Sequence, residues 1–139
     1  MPTKKEQILH KISKIKNYLR ELSAFRDSPL EELKNDSHGK AALERFLYLM
    51  CDSVISLLEM MIAFKDYPSA TTYSENIDIL LDQKEISEND VQLLHKIVGL
   101  RNILSHDYEK LDFAILKEII DGELSGVENL LDRFKNKLD

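Results

Sequence analysis

Phe46-Leu47-Tyr48-Leu49-Met50-Cys51-Asp52-Ser53-Val54-Ile55-Ser56-Leu57-Leu58-Glu59-Met60-Met61 is the stretch that decides the fold. Twelve of its sixteen residues are apolar, and they fall nearly all round a helical wheel instead of alternating as in a half-buried strand. A helix of this kind is wrapped by neighbours on most sides. In so small a chain, a second copy of the same chain is one candidate wrapper. The helix extends over roughly 40–65, where Tyr67-Pro68-Ser69 ends it.

Working outward, Ile8, Ile12, Ile15, Leu19 and Leu22 step by 4, 3, 4 and 3, one stripe of an amphipathic helix with lysines on its other side. Asp27-Ser28-Pro29 breaks it, and Glu31 to Gly39 is polar: a loop, or a short helix with a loop. On the far side, Tyr73 to Gln83 forms a short helix with Ile77, Leu80 and Leu81 inward. Ser87, followed three residues later by Asp90, makes a helix N-cap pattern. The helix it opens turns Val91, Leu94, Ile97, Leu100 and Leu104 to the core. Asp112 caps a further helix carrying Phe113, Leu116, Ile119 and Ile120; Gly122 and Gly126 flank a kink or break. A last amphipathic stretch carries Val127, Leu130, Leu131 and Phe134. The expectation is an all-α, up-and-down bundle of about five helices, one domain over 1–139.

Composition narrows the function. A chain of 139 residues can bury one core without disulfides or metals. With 4 Gly and 3 Pro it lacks the turn residues of a β-sandwich. Its 19 Lys+Arg against 25 Asp+Glu, net charge -6, excludes a generic basic nucleic-acid coat but not an enzyme with a locally basic site. Cys51 is the one cysteine, so no intramolecular disulfide and no cysteine-based zinc site form. No N-terminal apolar signal region is read, and no stretch approaches the ~20 apolar residues of a membrane span. The expected location is cytoplasmic, with no membrane partner. No HExxH, Gly-rich phosphate loop or G-x-S-x-G elbow is present, so neither a metal nor another cofactor is expected.

Most remaining polar residues have bland explanations. His10 and His38 read as surface residues, and His95 as half-buried without a role. Glu44 and Arg45 read as helix-surface charges, while Asp52, amid apolar neighbours, calls for a cationic partner such as Arg101 or Arg45. The segment Gly99-Leu100-Arg101-Asn102-Ile103-Leu104-Ser105-His106-Asp107-Tyr108 is different. On a helix Arg101 and His106 point about 140° apart, so they converge only if the helix ends between them. Ser105 and Asp107 are suitable helix-end residues. An extended turn would put Tyr108 on the same side as His106. Either these three gather at a helix end, or Arg101 pairs with a nearby acid and His106 is a turn residue.

Arg101-Asn102-x3-His106-x-Tyr108 resembles the R-x4-H-x-Y signature of HEPN ribonuclease toxins, in the HepT-like branch found beside minimal nucleotidyltransferase antitoxins. Ala42-Leu43-Glu44-Arg45 opening the apolar helix, Thr72-Tyr73-Ser74-Glu75 followed by Leu80, and Tyr108-Glu109-Lys110-Leu111-Asp112 are similar to that branch too. The likeness covers about 40–131. Asp107 stands where relatives often carry lysine or glycine.

The resemblance implies a HEPN-like helical homodimer that cleaves RNA without a metal, the toxin of a toxin–antitoxin pair of type II/VII-like organisation. Arg101 and His106 would be catalytic, with Asn102 and Tyr108 in support. A base takes the proton of the RNA 2′-hydroxyl, which attacks its own phosphate, and an acid protonates the leaving oxygen. Histidine, titrating ordinarily near ~6.5, suits both roles. Arg101 would hold the phosphate. Asn102 would orient His106, donate to the phosphate, or cap the helix end. Tyr108 would position the phosphate or stack. It would also be the point of adenylylation by the antitoxin. The resemblance gives Glu44 and Arg45 a second reading, a supporting role near the motif. The alternative to an RNase is a non-catalytic helical module that partners a nucleotidyltransferase.

Overall fold

The computed structural model describes residues 1–106 and 112–139. Among them are seven helices and no strand: α1 Lys4–Ser23, α2 Leu30–Asn35, α3 Ser37–Phe64, α4 Tyr73–Asp82, α5 Glu88–His106, α6 Phe113–Gly122 and α7 Leu124–Asn136. The all-α class stands; the count exceeds five because the polar 31–39 stretch holds α2 and the first turn of α3, and because α6 and α7 part at Glu123.

The caps explain the boundaries. Thr3 Oγ1 accepts from the Glu6 N–H at 3.1 Å and starts α1. Asp36 caps α3, Oδ1 accepting from the Gly39 N–H at 3.0 Å. A Cβ on residue 39 would sit 2.6 Å from Asp36 Oδ2 and would force the capping carboxylate to shift. Ser87 and Asp90 form the reciprocal box expected from their spacing: the Ser87 N–H donates to Asp90 Oδ2 at 2.8 Å and the Asp90 N–H to Ser87 Oγ at 3.3 Å. Asp112 caps α6 through the Ala114 N–H. Helices α3 and α4 end on left-handed residues that are not glycine, Asp66 (φ 58°) and Lys84 (φ 60°). Each lets the next N–H reach back five residues, Tyr67 to Ile62 and Glu85 to Leu80.

Helix α3 is the axis. Leu43, Leu47, Met50, Cys51, Val54, Ile55, Leu57, Leu58, Met61 and Ile62 are buried in it, and α1, α2, α4 and α5 pack round it. Its wrapping therefore comes from its own chain, and the apolar α3 is no argument for a second copy. By length and composition α3 is long and apolar enough to cross a membrane, contrary to the sequence expectation; its most apolar 18-residue window has mean hydropathy 1.7, but 56% of that window is buried inside the bundle. The whole α1 stripe from Ile8 to Leu22 is buried against α3 and α7. Each such aliphatic contributes roughly 1.5–3 kcal/mol on burial, so a charge at Ile15, which is 0% exposed, would dislodge α1.

The start of α5 is anchored to α7. Arg133 Nη1 and Nη2 donate to Asp90 Oδ2 and Oδ1 at 2.7 and 2.6 Å. With its first turns fixed, α5 projects its C-terminal half beside α3 and α4.

Candidate functional site

Helix α5 does not end between Arg101 and His106; it runs unbroken to His106, its last described residue. The two side chains therefore leave the helix about 140° apart, and the convergence within one chain that a helix end would have allowed does not occur. Ser105 Oγ donates back to the Asn102 carbonyl at 3.2 Å, and Ser105 lies inside the helix and not past its end.

Arg101 turns inward, toward α3 and α4. Its Nε donates to Asp52 Oδ1 at 3.3 Å. Its Cζ lies 5.9 Å from the centroid of the Tyr48 ring and 5.8 Å from that of Tyr73. Tyr48 receives a second guanidinium, with the Arg45 Cζ at 5.9 Å. Arg45, Tyr48 and Asp52 step by 3 and 4 along α3 and so share one face of it. Burial works against the charge of Arg101, but Asp52 and the two tyrosines outweigh it and hold its pKa above the ordinary value. Of the two partners open to Asp52, the fold selects Arg101.

Beside this group lies a cleft of about 590 Å³ lined by Ala41, Glu44, Arg45, Tyr48 and Ser105. Glu44 and Arg45 thus line the same cleft as Ser105 of the α5 motif. Cys51, next to Asp52 but fully buried, is no nucleophile: burial, then the Asp52 charge, push its thiol up to about 12.

His106 is exposed on the other side of α5, in line with Gly99 and Ile103, at steps of 4 and 3. Asn102, one turn before His106, is exposed and lies within the helix, so it does not cap the helix end. Tyr108 and Asp107 lie outside the described residues, as does the side chain of Phe113. His10, His38 and His95 are all exposed, His95 more so than expected. Among the described residues no three His, Cys, Asp or Glu side chains gather as a metal site would require.

Sequence reasoning missed Tyr48 and Tyr73, which look like core aromatics at helical spacing. On the His106 side of α5, Ile103 and Ile115 are 41% and 53% exposed, on the rim of a groove of about 390 Å³ that Gly99, Leu100, Ile119 and the charged Lys96, Glu118 and Glu123 also line.

Comparison with known proteins places this architecture. Over 129 residues the chain is 23% identical to the mRNA nuclease HepT of Shewanella oneidensis, spanning 92% of this chain and 96% of that one. A solved structure of a tri-AMPylated Shewanella oneidensis HEPN toxin in complex with an MNT antitoxin shares the fold, with a TM-score of 0.84 at 22% identity over 98% of this chain and 99% of that one. YutE of Bacillus subtilis, described as a cytosolic protein of unknown function, matches with a TM-score of 0.75 at 23% identity, over 93% of this chain and 89% of its own. The family model described as ribonuclease HepT-like matches residues 8–134, from the first buried isoleucine of α1 to the buried Phe134 of α7. The chain belongs to the HepT-like ribonuclease family.

Proposed function

We propose that the chain is the toxin of a toxin–antitoxin pair, a metal-independent endoribonuclease acting in the cytoplasm as one domain over 1–139. The observation that carries the reading is the Arg101 guanidinium held by Asp52, Tyr48 and Tyr73, with Tyr48 lining an open cleft, in a chain of this family. Arg101 binds the scissile phosphate and offsets the charge that builds on its oxygens in the transition state. One imidazole removes the 2′-hydroxyl proton; the 2′-oxygen attacks phosphorus. The bond from phosphorus to the 5′-oxygen breaks, and a second imidazole protonates that oxygen. The products are a 2′,3′-cyclic phosphate and a 5′-hydroxyl.

Each chain supplies one His106, so two imidazoles at one phosphate call for two chains. We propose a two-fold homodimer packed through the groove between α5 and α6. Three features support it. His106 shares a stripe with Gly99 and Ile103, about 20° and 60° away on the helix. Among the described residues, Ile103 and Ile115 are the large apolar side chains exposed there. The absence of a side chain at Gly99, with nothing within 4 Å of where a Cβ would lie, leaves room for close approach. An isologous contact on this face brings the two copies of His106 toward one another, and Arg101, about 140° round α5 from His106, reaches the phosphate from the α3 and α4 side of the helix. Asn102 sits beside His106, where it can orient the ring or donate to phosphate.

A nucleotidyltransferase antitoxin would silence the enzyme by adding AMP to Tyr108, as the AMPylated state of the related toxin suggests. A phosphodiester-linked nucleotide two residues from His106 adds bulk and negative charge near the imidazole and repels RNA. The reading is tested by incubating purified chain with cellular RNA and sequencing the cut ends, alongside Arg101→Ala and His106→Ala.

A further inference from the structure

The same molecule holds two arginines in two different ways. Arg133 spends both terminal nitrogens on Asp90, at 2.7 and 2.6 Å, as a structural ion pair does. Arg101 gives Asp52 only its Nε, at 3.3 Å. Arginine has five N–H donors, one on Nε and four on the terminal nitrogens. Among the described residues the terminal nitrogens of Arg101 have no hydrogen-bond partner, although its side chain is only 20% exposed.

We propose that Asp52, Tyr48 and Tyr73 are positioning residues for the ribonuclease reaction: a clamp that fixes the plane of the Arg101 guanidinium and presents its Nη1/Nη2 fork to two non-bridging phosphate oxygens. The inference rests on the ribonuclease reading above. Each part has its own physical task. Asp52 anchors one edge of the fork, which stops rotation about the last bonds of the side chain. The two rings, 5.9 and 5.8 Å from Cζ, attract the cation and restrict its tilt. Asp52 is itself 43% exposed, so water screens its charge. It anchors Arg101 without cancelling the positive charge that the phosphate needs. Tyr48 and Asp52 lie one turn apart on α3, while Tyr73 opens α4, so the clamp closes from two helices.

The test uses the full chain and four forms: wild type, Asp52→Ala, Asp52→Asn and Arg101→Ala. The first readout is independent of activity, the Arg101 Nε–H resonance in a ¹H–¹⁵N spectrum, assigned by its loss in Arg101→Ala. The second is kcat and KM for RNA cleavage, with melting temperature as the control for folding. The clamp predicts that Asp52→Ala loses the protected Nε–H signal and drops kcat about 10- to 100-fold, the scale for a misplaced catalytic group. Asp52→Asn keeps an oxygen acceptor and should recover most of that loss. Wild-type kcat and an unchanged Nε–H signal in Asp52→Ala would overturn the proposal, and so would an Asp52→Asn as slow as Asp52→Ala. Failure of the ribonuclease reading looks different: wild type does not cut, or Arg101→Ala cuts as fast. The catalytic use of the clamp then falls with it, while the Nε–H signal still reports whether Asp52 holds the arginine.

Discussion

Arg133→Ala should destabilise the fold by about 2 kcal/mol at neutral pH, and less as the solution is acidified. The Asp90 side chain is 7% exposed and that of Arg133 is 44% exposed. Removing one partner of a fully buried pair costs about 3–5 kcal/mol. Here water reaches the outer side of the pair, and the Ser87 N–H still donates to the stranded carboxylate, so the lower figure follows. For a chain of this size that is roughly 6 °C in melting temperature. The pH dependence has a definite sign. Burial alone would raise the Asp90 pKa, but the Arg133 and Ser87 hydrogen bonds outweigh it and hold it below the ordinary carboxylate value. A carboxyl with a depressed folded pKa stabilises fully above its unfolded value, about 3.9, and loses that contribution as pH falls through the folded value. Without Arg133 the folded pKa rises. The gap between wild type and variant is therefore full at pH 7 and shrinks below about pH 4. Urea melts followed by circular dichroism across this range give the gap directly. A difference under about 0.5 kcal/mol at pH 7, or one that widens on acidification, would refute the reasoning.

Further outcomes follow from other elements. Gly39→Ala places a Cβ against Asp36, and the lost N-cap, worth about 1 kcal/mol, is offset by the roughly 1 kcal/mol by which alanine favours a helix, so the same urea melts should show a net change within about 0.5 kcal/mol. Ile103→Asp, on the exposed α5 surface, should leave helicity intact but yield a monomer in light scattering and abolish cleavage; a dimer of unchanged mass would move the interface elsewhere. Tyr108→Phe should keep RNase activity and escape an antitoxin that works by nucleotidyl transfer. Intact-mass spectrometry after co-expression with the partner decides it, and full silencing of this variant, with no mass increment on wild type, would indicate physical masking instead.

The parts of this fold that were legible in the sequence are those set by local chemistry. The 4-3-4-3 stripe of α1 is buried throughout, and the Ser87/Asp90 and Asp112 caps lie where their spacing puts them. Such signals involve residues within one or two turns. The ends of α3 and α4 fall within one residue of where Tyr67-Pro68-Ser69 and the close of the 73–83 pattern put them, although the left-handed residues there are Asp66 and Lys84 and not glycine. The site was legible as a motif and not as an arrangement. Spacing could not decide between Arg101 and Arg45 for Asp52, nor pair Asp90 with Arg133 across 43 residues. Tyr48 and Tyr73 carry the same periodic signal as any core aromatic; only the packing of α3, α4 and α5 turns them onto a guanidinium. The polarity of Ser105 suggested a helix end, yet its hydroxyl bonds back to the Asn102 carbonyl and the helix continues.

The central claim is that Arg101 and His106 cut RNA without a metal. It is tested most directly by single-turnover cleavage of RNA by the purified chain in EDTA, with Arg101→Ala and His106→Ala run in parallel and the 3′ ends analysed. The account predicts undiminished cleavage in chelator, 2′,3′-cyclic phosphate ends, and a rate at least ~10²-fold lower in each variant, the low end for acid–base groups. Cleavage that stops in EDTA and returns with magnesium, or variants as fast as wild type, would contradict it.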